Sequence, residues 1–497
     1  MKKLINFKWT IGILAISLFS CDPDVSLENP NDLTPETFFE TSDQIKAAAN
    51  GAYAQLQSTG LYQRYGYILP DSFSDESQSG GDANFITSWS FQLTPVTPQV
   101  NAFWTTCYRG VAACNFLLNG KANMEERLAN GGVDYTQEDI NDALGQGHFL
   151  RGLYYYHLVK RFGGVPIIVD LENTLDVPRS TEEEVYNLII SDFKIATELL
   201  FEKGKTDEGR ATRGAALGML GKVYLHKEKY DSAKLSLDQI TGYSLLPLEE
   251  YDDNFNESGE FNDESMFEVI YTDEQDGSQW DQNGQGLAEV TWHAQEYTGW
   301  TNLRPADKMI NEFETDDPRL QSAILQEGDP VGTDGTTTWG NGNAWKKFSQ
   351  LYENNEVKEN GETNVRILRY ADVVLMKAEV ENKLSNDAGA IAYLNMIRDR
   401  VQLPQYGTAE MDTRGYPVGS SSEVFDAIVH ERMIELCAEQ QRYDDLVRWN
   451  LDAQEITVDN DGESRGYNPD IHRLMPIPQT EVDTNSNLNQ EDQNPGY

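Results

Sequence analysis

The chain has 497 residues, 39% hydrophobic and 24% charged, with 24 Tyr and 9 Trp, which is enough apolar and aromatic material for a large folded body and excludes a disordered acidic chain. Its 82 acidic and 39 basic residues give a formal charge of −43. That balance excludes a nucleic-acid backbone as partner, because such contacts need clustered Lys and Arg to displace counterions.

The first twenty residues read as a sorting signal. Lys2, Lys3 and Lys8 form a basic start, Ile11 to Phe19 is a short apolar run, and Leu18-Phe19-Ser20 precedes Cys21. The run is too short to span about 30 Å of hydrocarbon as a helix. A cysteine directly after such a run resembles a bacterial lipobox, which predicts that Cys21 is acylated and that Asp22-Pro23-Asp24 opens a flexible acidic tether. The alternative is ordinary cleavage before a coincidental cysteine. Cys107, Cys114 and Cys437 make neither a disulfide framework nor a CxxC metal pair. Cys107 and Cys114 stand seven apart, about 10 Å along a helix, beyond disulfide reach, so all three read as small buried hydrophobes. No cofactor or metal site is expected.

After a lead-in to residue 41, Ser42 is the expected N-cap of a helix reaching about Gln57, with Ile45, Ala48, Ala49, Ala52 and Leu56 on its apolar face. Residues 61–98 lose that period and carry Phe85, Trp89 and Phe91 among Gly, Ser, Asp and Pro, which predicts an ordered loop or an exposed aromatic surface. A helix returns over Phe103 to Leu118, another carries Ile140, Leu144, Gly147, Leu150, Tyr154 and Leu158 and stops at Gly163-Gly164, and a third spans about Thr181 to Leu200.

Gly209 to Ile240 reads as two short helices joined by a tight turn at Lys229-Tyr230. Leu217, Leu220, Gly221 and Tyr224 recur at helical spacing, then Ala233, Leu237 and Ile240. This is the tetratricopeptide pattern, in which small residues at Gly221 and Ala233 let paired helices approach. One pair cannot bury its own apolar face, so the pattern predicts further pairs.

From 243 to 364 the helical period is largely lost. Met266 to Tyr271 suggests a strand, and a stretch this long without a repeating core is where function is expected. Helices resume over Val365 to Lys383 and Ala388 to Val401, followed by one long helix from about Ser422 to Asn450. The tail motifs Leu474 to Ile477 and Asn494 to Tyr497 are apolar and Pro-rich, which predicts that they pack on the body.

Taken in order, Asn50-Gly51-Ala52-Tyr53, Phe103-Trp104 to Tyr108, FLRGLYYYHLVKRFGGVP (149–166), Gly209 to Tyr224, RYADVVLMKAEV (369–380), LNMIRDR (394–400), ERMIELCAEQQRYDDLVRW (431–449), Pro476-Ile477-Pro478 and QNPGY (493–497) resemble the SusD/RagB family of outer-membrane nutrient-binding lipoproteins of Bacteroidetes. Val380 departs from the alanine usual there. The resemblance implies a mainly α fold: four tetratricopeptide-like helix pairs supporting an irregular, loop-rich subdomain with short strands. It divides the chain into a signal (1–20), a lipidated tether and lead-in (21–41), an N-terminal helical region (42–242) with a loop insertion (61–98), an irregular ligand-binding insertion (243–364) and a C-terminal helical region (365–497). It also implies an outer-membrane, surface-exposed location through the lipid on Cys21, and a SusC-like TonB-dependent transporter as partner.

Two classes of chemistry remain to be weighed. Glu431, Glu435 and Glu439 lie one turn apart on the expected final helix, and a glycosidase needs two carboxylates roughly 5–10 Å apart. However, Arg432, Arg442 and Arg448 are interleaved, which favours an ion-pair network. No nucleophile elbow, HExxH or phosphate loop is present, and His157 and His226 read as core or interface residues. We therefore expect no enzyme.

Binding is the better reading. Trp89, Trp280, Trp292, Trp300, Trp339 and Trp345 all fall in the two stretches that lack helical period. An indole stacks on the apolar C–H face of a sugar, while acids and amides bond its hydroxyls; Asp82 and Asn84 stand near Trp89, and Asp281, Asn283 and Gln295 near the second group. The competing reading of each tryptophan is that it packs the core of its own subdomain. In the family the glycan site combines the loop before the Phe-Trp helix with the irregular insertion, so the resemblance points to Trp89, Asp82 and Asn84 with Trp280, Trp292 and Trp300. The expected function is capture of an oligosaccharide or polysaccharide; peptide cargo, or a tetratricopeptide scaffold without small cargo, are the alternatives.

Overall fold

Thr41 and Gln44 form a reciprocal capping box at the start of α1 (Ser42–Ala54). The cap thus lies one residue before the expected Ser42, whose amide and hydroxyl instead donate to Asp134 at 2.7 and 3.2 Å. The computed structural model describes residues 34, 38–79, 83–172, 176–271, 303–331, 337–340, 342–347, 363–458 and 464–497, and it is mainly helical.

The segment 61–98 is not one loop. It contains α2 (Tyr65–Phe73), β1 (Ser77–Ser79) and α3 (Ala83–Trp89). Helix α2 escaped the sequence reading because every residue from Gly66 to Phe73 is buried and Pro70 lies inside it, so no apolar stripe marks it.

The N-terminal body continues with α4 (Pro98–Asn119), α5 (Lys121–Asn130), α6 (Gln137–Phe162), α7 (Glu182–Leu199), α8 (Arg213–His226) and α9 (Tyr230–Leu237). Capping boxes at Thr136/Asp139 and Thr181/Glu184 start α6 and α7, and Gly163, at φ 70°, ends α6 in a conformation that suits glycine. Helix α6 packs between α4 and α7, α7 against α8, and α8 against α9. A Cβ at Gly221 would overlap the Leu237 side chain, so the small residue is what sets the spacing of this helix pair.

Beyond residue 243 the elements are short: β2 (Ser265–Val269), β3 (Leu303–Pro305), α10 (Asp307–Glu312), α11 (Arg319–Ala323), β4 (Ile324–Leu325), β5 (Pro330–Val331), β6 (Thr337–Thr338), β7 (Ala344–Trp345) and β8 (Val365–Arg369). Strands β2 and β8 pair antiparallel, Val269 opposite Val365, so the intervening chain leaves and re-enters the helical body at one place. Strand β1 pairs antiparallel with β3, Ser77 opposite Pro305 and Ser79 opposite Leu303.

The C-terminal body is built from α12 (Tyr370–Lys383), α13 (Asp387–Arg400), α14 (Ala409–Arg414), α15 (Ser421–Glu435) and α16 (Arg442–Trp449). Two expectations are corrected here. The helix expected from Val365 begins at Tyr370, its first five residues being β8. The single helix expected over 422–450 is two, broken at 436–441, where Ala438 and Gln440 adopt φ 56° and 59°.

Buried side chains form a main core running from α1 through α8 to β2, β8 and the tail, a second among α12, α13 and α15, and a third around Phe39, Met124 and Ile140. Cys107, Cys114 and Cys437 are buried and free. The tail is docked as its composition predicts: the Met475 amide donates to the Arg161 carbonyl at 2.6 Å, and Asn494 Nδ2 donates to the carbonyls of Phe162 and Met475 at 3.0 and 2.7 Å.

Candidate functional site

Trp89 is the last residue of α3, a helix where a loop was expected, and it is half-buried. Its Nε1 donates to the Ser77 carbonyl of β1 at 3.2 Å, and the guanidinium of Arg465 lies over its ring, 4.8 Å from the centroid. Arg465 is itself buried and clamps the surrounding backbone, donating to the carbonyls of Ser74 (2.6 Å), Ser72 (2.7 Å) and Trp89 (3.0 Å). The indole is therefore held at a set angle with one face covered. Phe91, expected in an ordered loop or an exposed aromatic surface, is buried against Phe73, Tyr467 and His472.

The β1–β3 ladder joins this segment to the irregular insertion. Leu303, three residues after Trp300, pairs with Ser79, three residues before Asp82, and the Ala306 amide donates to the Glu76 carbonyl at 2.8 Å. Asn84 belongs to α3. Asp82, Trp280, Trp292 and Trp300, with Asp281, Asn283 and Gln295, lie outside the described residues, as does Cys21.

Trp339 and Trp345 are core residues. Each is only 2% exposed; Trp345 sits in β7 against β4, and Trp339 Nε1 donates to the Gly342 carbonyl. For these two, packing of the insertion's own core is the correct reading.

A cleft of about 440 Å³ lies where the chain enters the 272–302 stretch, lined by Asn50, Tyr53, Gln57, Arg210, Glu268 and Ile270 among others. The Arg210 guanidinium covers the Tyr53 ring at 5.0 Å, and Gln57 Nε2 donates to the Ile270 carbonyl at 2.6 Å. Sequence reasoning did not single out this cleft or Arg465. Arg465 stands in an aperiodic segment and acts on backbone nearly four hundred positions away, so no local pattern marks it.

The glutamates that raised an enzymatic reading are fully enclosed ion-pair partners. Arg319 Nη1 reaches Glu431 at 2.6 Å and Glu435 at 3.2 Å, Arg400 reaches Glu435 at 2.6 Å, Arg369 reaches Glu439 at 2.7 Å, and Lys347 reaches Glu439 at 2.9 Å. Burial raises the carboxyl pKa of Glu435 and Glu439, but the surrounding cations outweigh it, holding Glu435 well below the usual range and Glu439 below it. Carboxylates locked in the ionised form and shut off from solvent offer no proton to a leaving group. His157 Nε2 lies 2.8 Å from the Tyr62 hydroxyl, and burial keeps it neutral; burial likewise lowers His226 to about 3. Among the described residues, no group of three His, Cys, Asp or Glu is arranged to hold a metal ion, and no helix is long and apolar enough to cross a membrane.

Comparison with known proteins agrees with this architecture. The model of the SusD family matches residues 323–497, and a second, described as starch-binding associating with outer membrane, matches residues 26–225. SusD-like protein P2 of Formosa agariphila is 27% identical over the whole of both chains. Among solved structures, a laminarin binding SusD-like protein is 25% identical with a TM-score of 0.73, covering 92% of this chain and 100% of its own. A SusD homologue from Bacteroides thetaiotaomicron has a TM-score of 0.79 at 21% identity, covering 93% of this chain and 98% of its own. The chain belongs to the SusD-like family.

Proposed function

We propose that this protein is a non-enzymatic, lipid-anchored surface glycan-binding protein. It captures oligosaccharide or polysaccharide on a platform built from Trp89, Asp82 and Asn84 together with Trp280, Trp292 and Trp300, and passes it to a SusC-like TonB-dependent transporter in the outer membrane. The observation that carries this reading is the β1–β3 pairing, which ties the Trp89 segment to the end of the tryptophan-rich stretch. Clamping by Arg465 supports a preorganised indole, which lowers the entropy lost on binding. The laminarin-binding relative and the family's starch-binding description support a glycan as cargo. Acylation of Cys21 would hold the 42–242 and 365–497 regions at the membrane surface, with the 243–364 insertion as the ligand-binding part.

Affinity electrophoresis through gels containing laminarin, starch or other polysaccharides tests the proposal. Retardation by at least one glycan, with no sugar released on incubation, is the expected result. Free migration through every glycan, with binding to peptides instead, would move the cargo to another class.

A further inference from the structure

Where α6 ends, the body encloses a cavity of about 30 Å³ bordered by Tyr62, His157, Lys160, Arg161, Lys222 and Gln441, with Pro70 and Gln440 beside them. That volume is enough for a water or a monatomic ion. Three of its walls are cationic side chains with little exposure to solvent: 10% for Lys160, 4% for Arg161 and 11% for Lys222.

Their ion pairs leave a positive remainder. Lys160 and Arg161 share the single carboxylate of Asp444. Lys222 pairs with Asp372 at 2.7 Å, but Asp372 also serves Arg432, Arg432 pairs with Asp445, and Asp445 with Arg448, which ends on Glu379. Followed to its end among the described residues, the Lys222 chain closes with three cations on three carboxylates, so the surplus is the one cation of the Lys160–Arg161–Asp444 cluster. His157 and His226 do not change the count, since both are neutral. Asp71, next to cavity-lining Pro70, is engaged by the Gln440 amide at 2.9 Å. An enclosed surplus cation is expensive unless something neutralises it.

Hydrogen-bond capacity points into the same space. Each ammonium has three hydrogens. Lys222 directs one to Gln441 Oε1 at 2.7 Å and one to Asp372, leaving its third. Lys160 directs one to Asp444 and lies over the Tyr156 ring at 4.4 Å.

From the cavity, the charge count and the unused donors, we infer that this cavity is a binding site for a monovalent monatomic anion, chloride in physiological media, held by Lys160, Lys222 and Arg161. The anion cancels the surplus charge at the junction of α6 with the 436–441 turn, so it acts as a structural ion independent of cargo binding.

Two measurements test the assignment. In crystals of the wild-type protein soaked in sodium bromide, an anomalous peak is expected between Lys160 and Lys222; a cavity without one, or holding water only, overturns the proposal. In thermal unfolding at constant ionic strength, replacing gluconate by chloride is expected to raise Tm by about 2 °C and to saturate. Lys160→Met, which leaves Arg161 and Asp444 as a balanced pair, is expected to abolish that increment. An increment of the same size in Lys160→Met would also overturn the proposal, because it would assign the effect to the general action of the salt.

Discussion

Asp71 and Glu76 are buried carboxyls facing the 436–441 turn, accepting from the amides of Gln440 at 2.9 Å and Ala438 at 3.3 Å. Burial pushes Asp71 up to about 7, and burial together with the Asp71 charge raises Glu76. The folded protein therefore keeps a proton on Asp71 that the unfolded chain releases above about pH 4. Between pH 4 and 7 Asp71 holds a proton in the native state that the unfolded chain has lost, so its contribution to stability falls as pH rises across that window. Asp71→Asn is expected to flatten this slope in urea unfolding measured at intervals from pH 4 to 8; an unchanged slope would mean that Asp71 is ionised in the fold. Glu435 behaves in the opposite sense, since it stays ionised among Arg319, Arg369 and Arg400. Glu435→Gln leaves those cations underpaired and is expected to destabilise the protein by about 3–5 kcal/mol. It should not change glycan hydrolysis, because none is expected in the wild type.

At the scale of elements, Gly221 sets how closely α8 and α9 pack. Gly221→Ala puts a methyl group into the Leu237 side chain and is expected to destabilise by about 1–3 kcal/mol, read as a lower urea midpoint with unchanged slope. This pair was legible in the sequence because its small and apolar residues recur at helical spacing, and α1, α4, α6, α7 and α13 were legible for the same reason. What escaped was structure without a period. Helix α2 is buried on all sides, α3 has only seven residues, and β8 runs directly into α12 without a turn residue to mark the change. The break between α15 and α16 was hidden because Ala438 and Gln440 take positive φ without being glycine, so Glu439 looked as if it shared a helix with Glu431 and Glu435. Of the site, the sequence placed six tryptophans in stretches without helical period, but gave no sign that Trp89 ends a short helix or that Trp339 and Trp345 are core. It gave no sign of Arg465, because that contact joins distant segments.

At the scale of the molecule, two helical bodies are linked by buried charge, and the irregular insertion is anchored to both. Arg369 of β8 reaches Glu264, Glu435 and Glu439, while β1 and β3 tie the insertion to the Trp89 segment. The same short segment carries the Ser72 and Ser74 carbonyls that Arg465 grips and the Asp75 carboxylate that pairs with Arg442. We propose that Trp89 forms part of the cargo site, and calorimetric titration with the glycan that retards the protein most tests this. Trp89→Ala keeps the backbone carbonyl that Arg465 grips, so an unchanged circular dichroism spectrum is expected. Affinity should fall about tenfold or more, equivalent to about 1.4 kcal/mol of lost stacking. Wild-type affinity retained in Trp89→Ala would remove Trp89 from the cargo site.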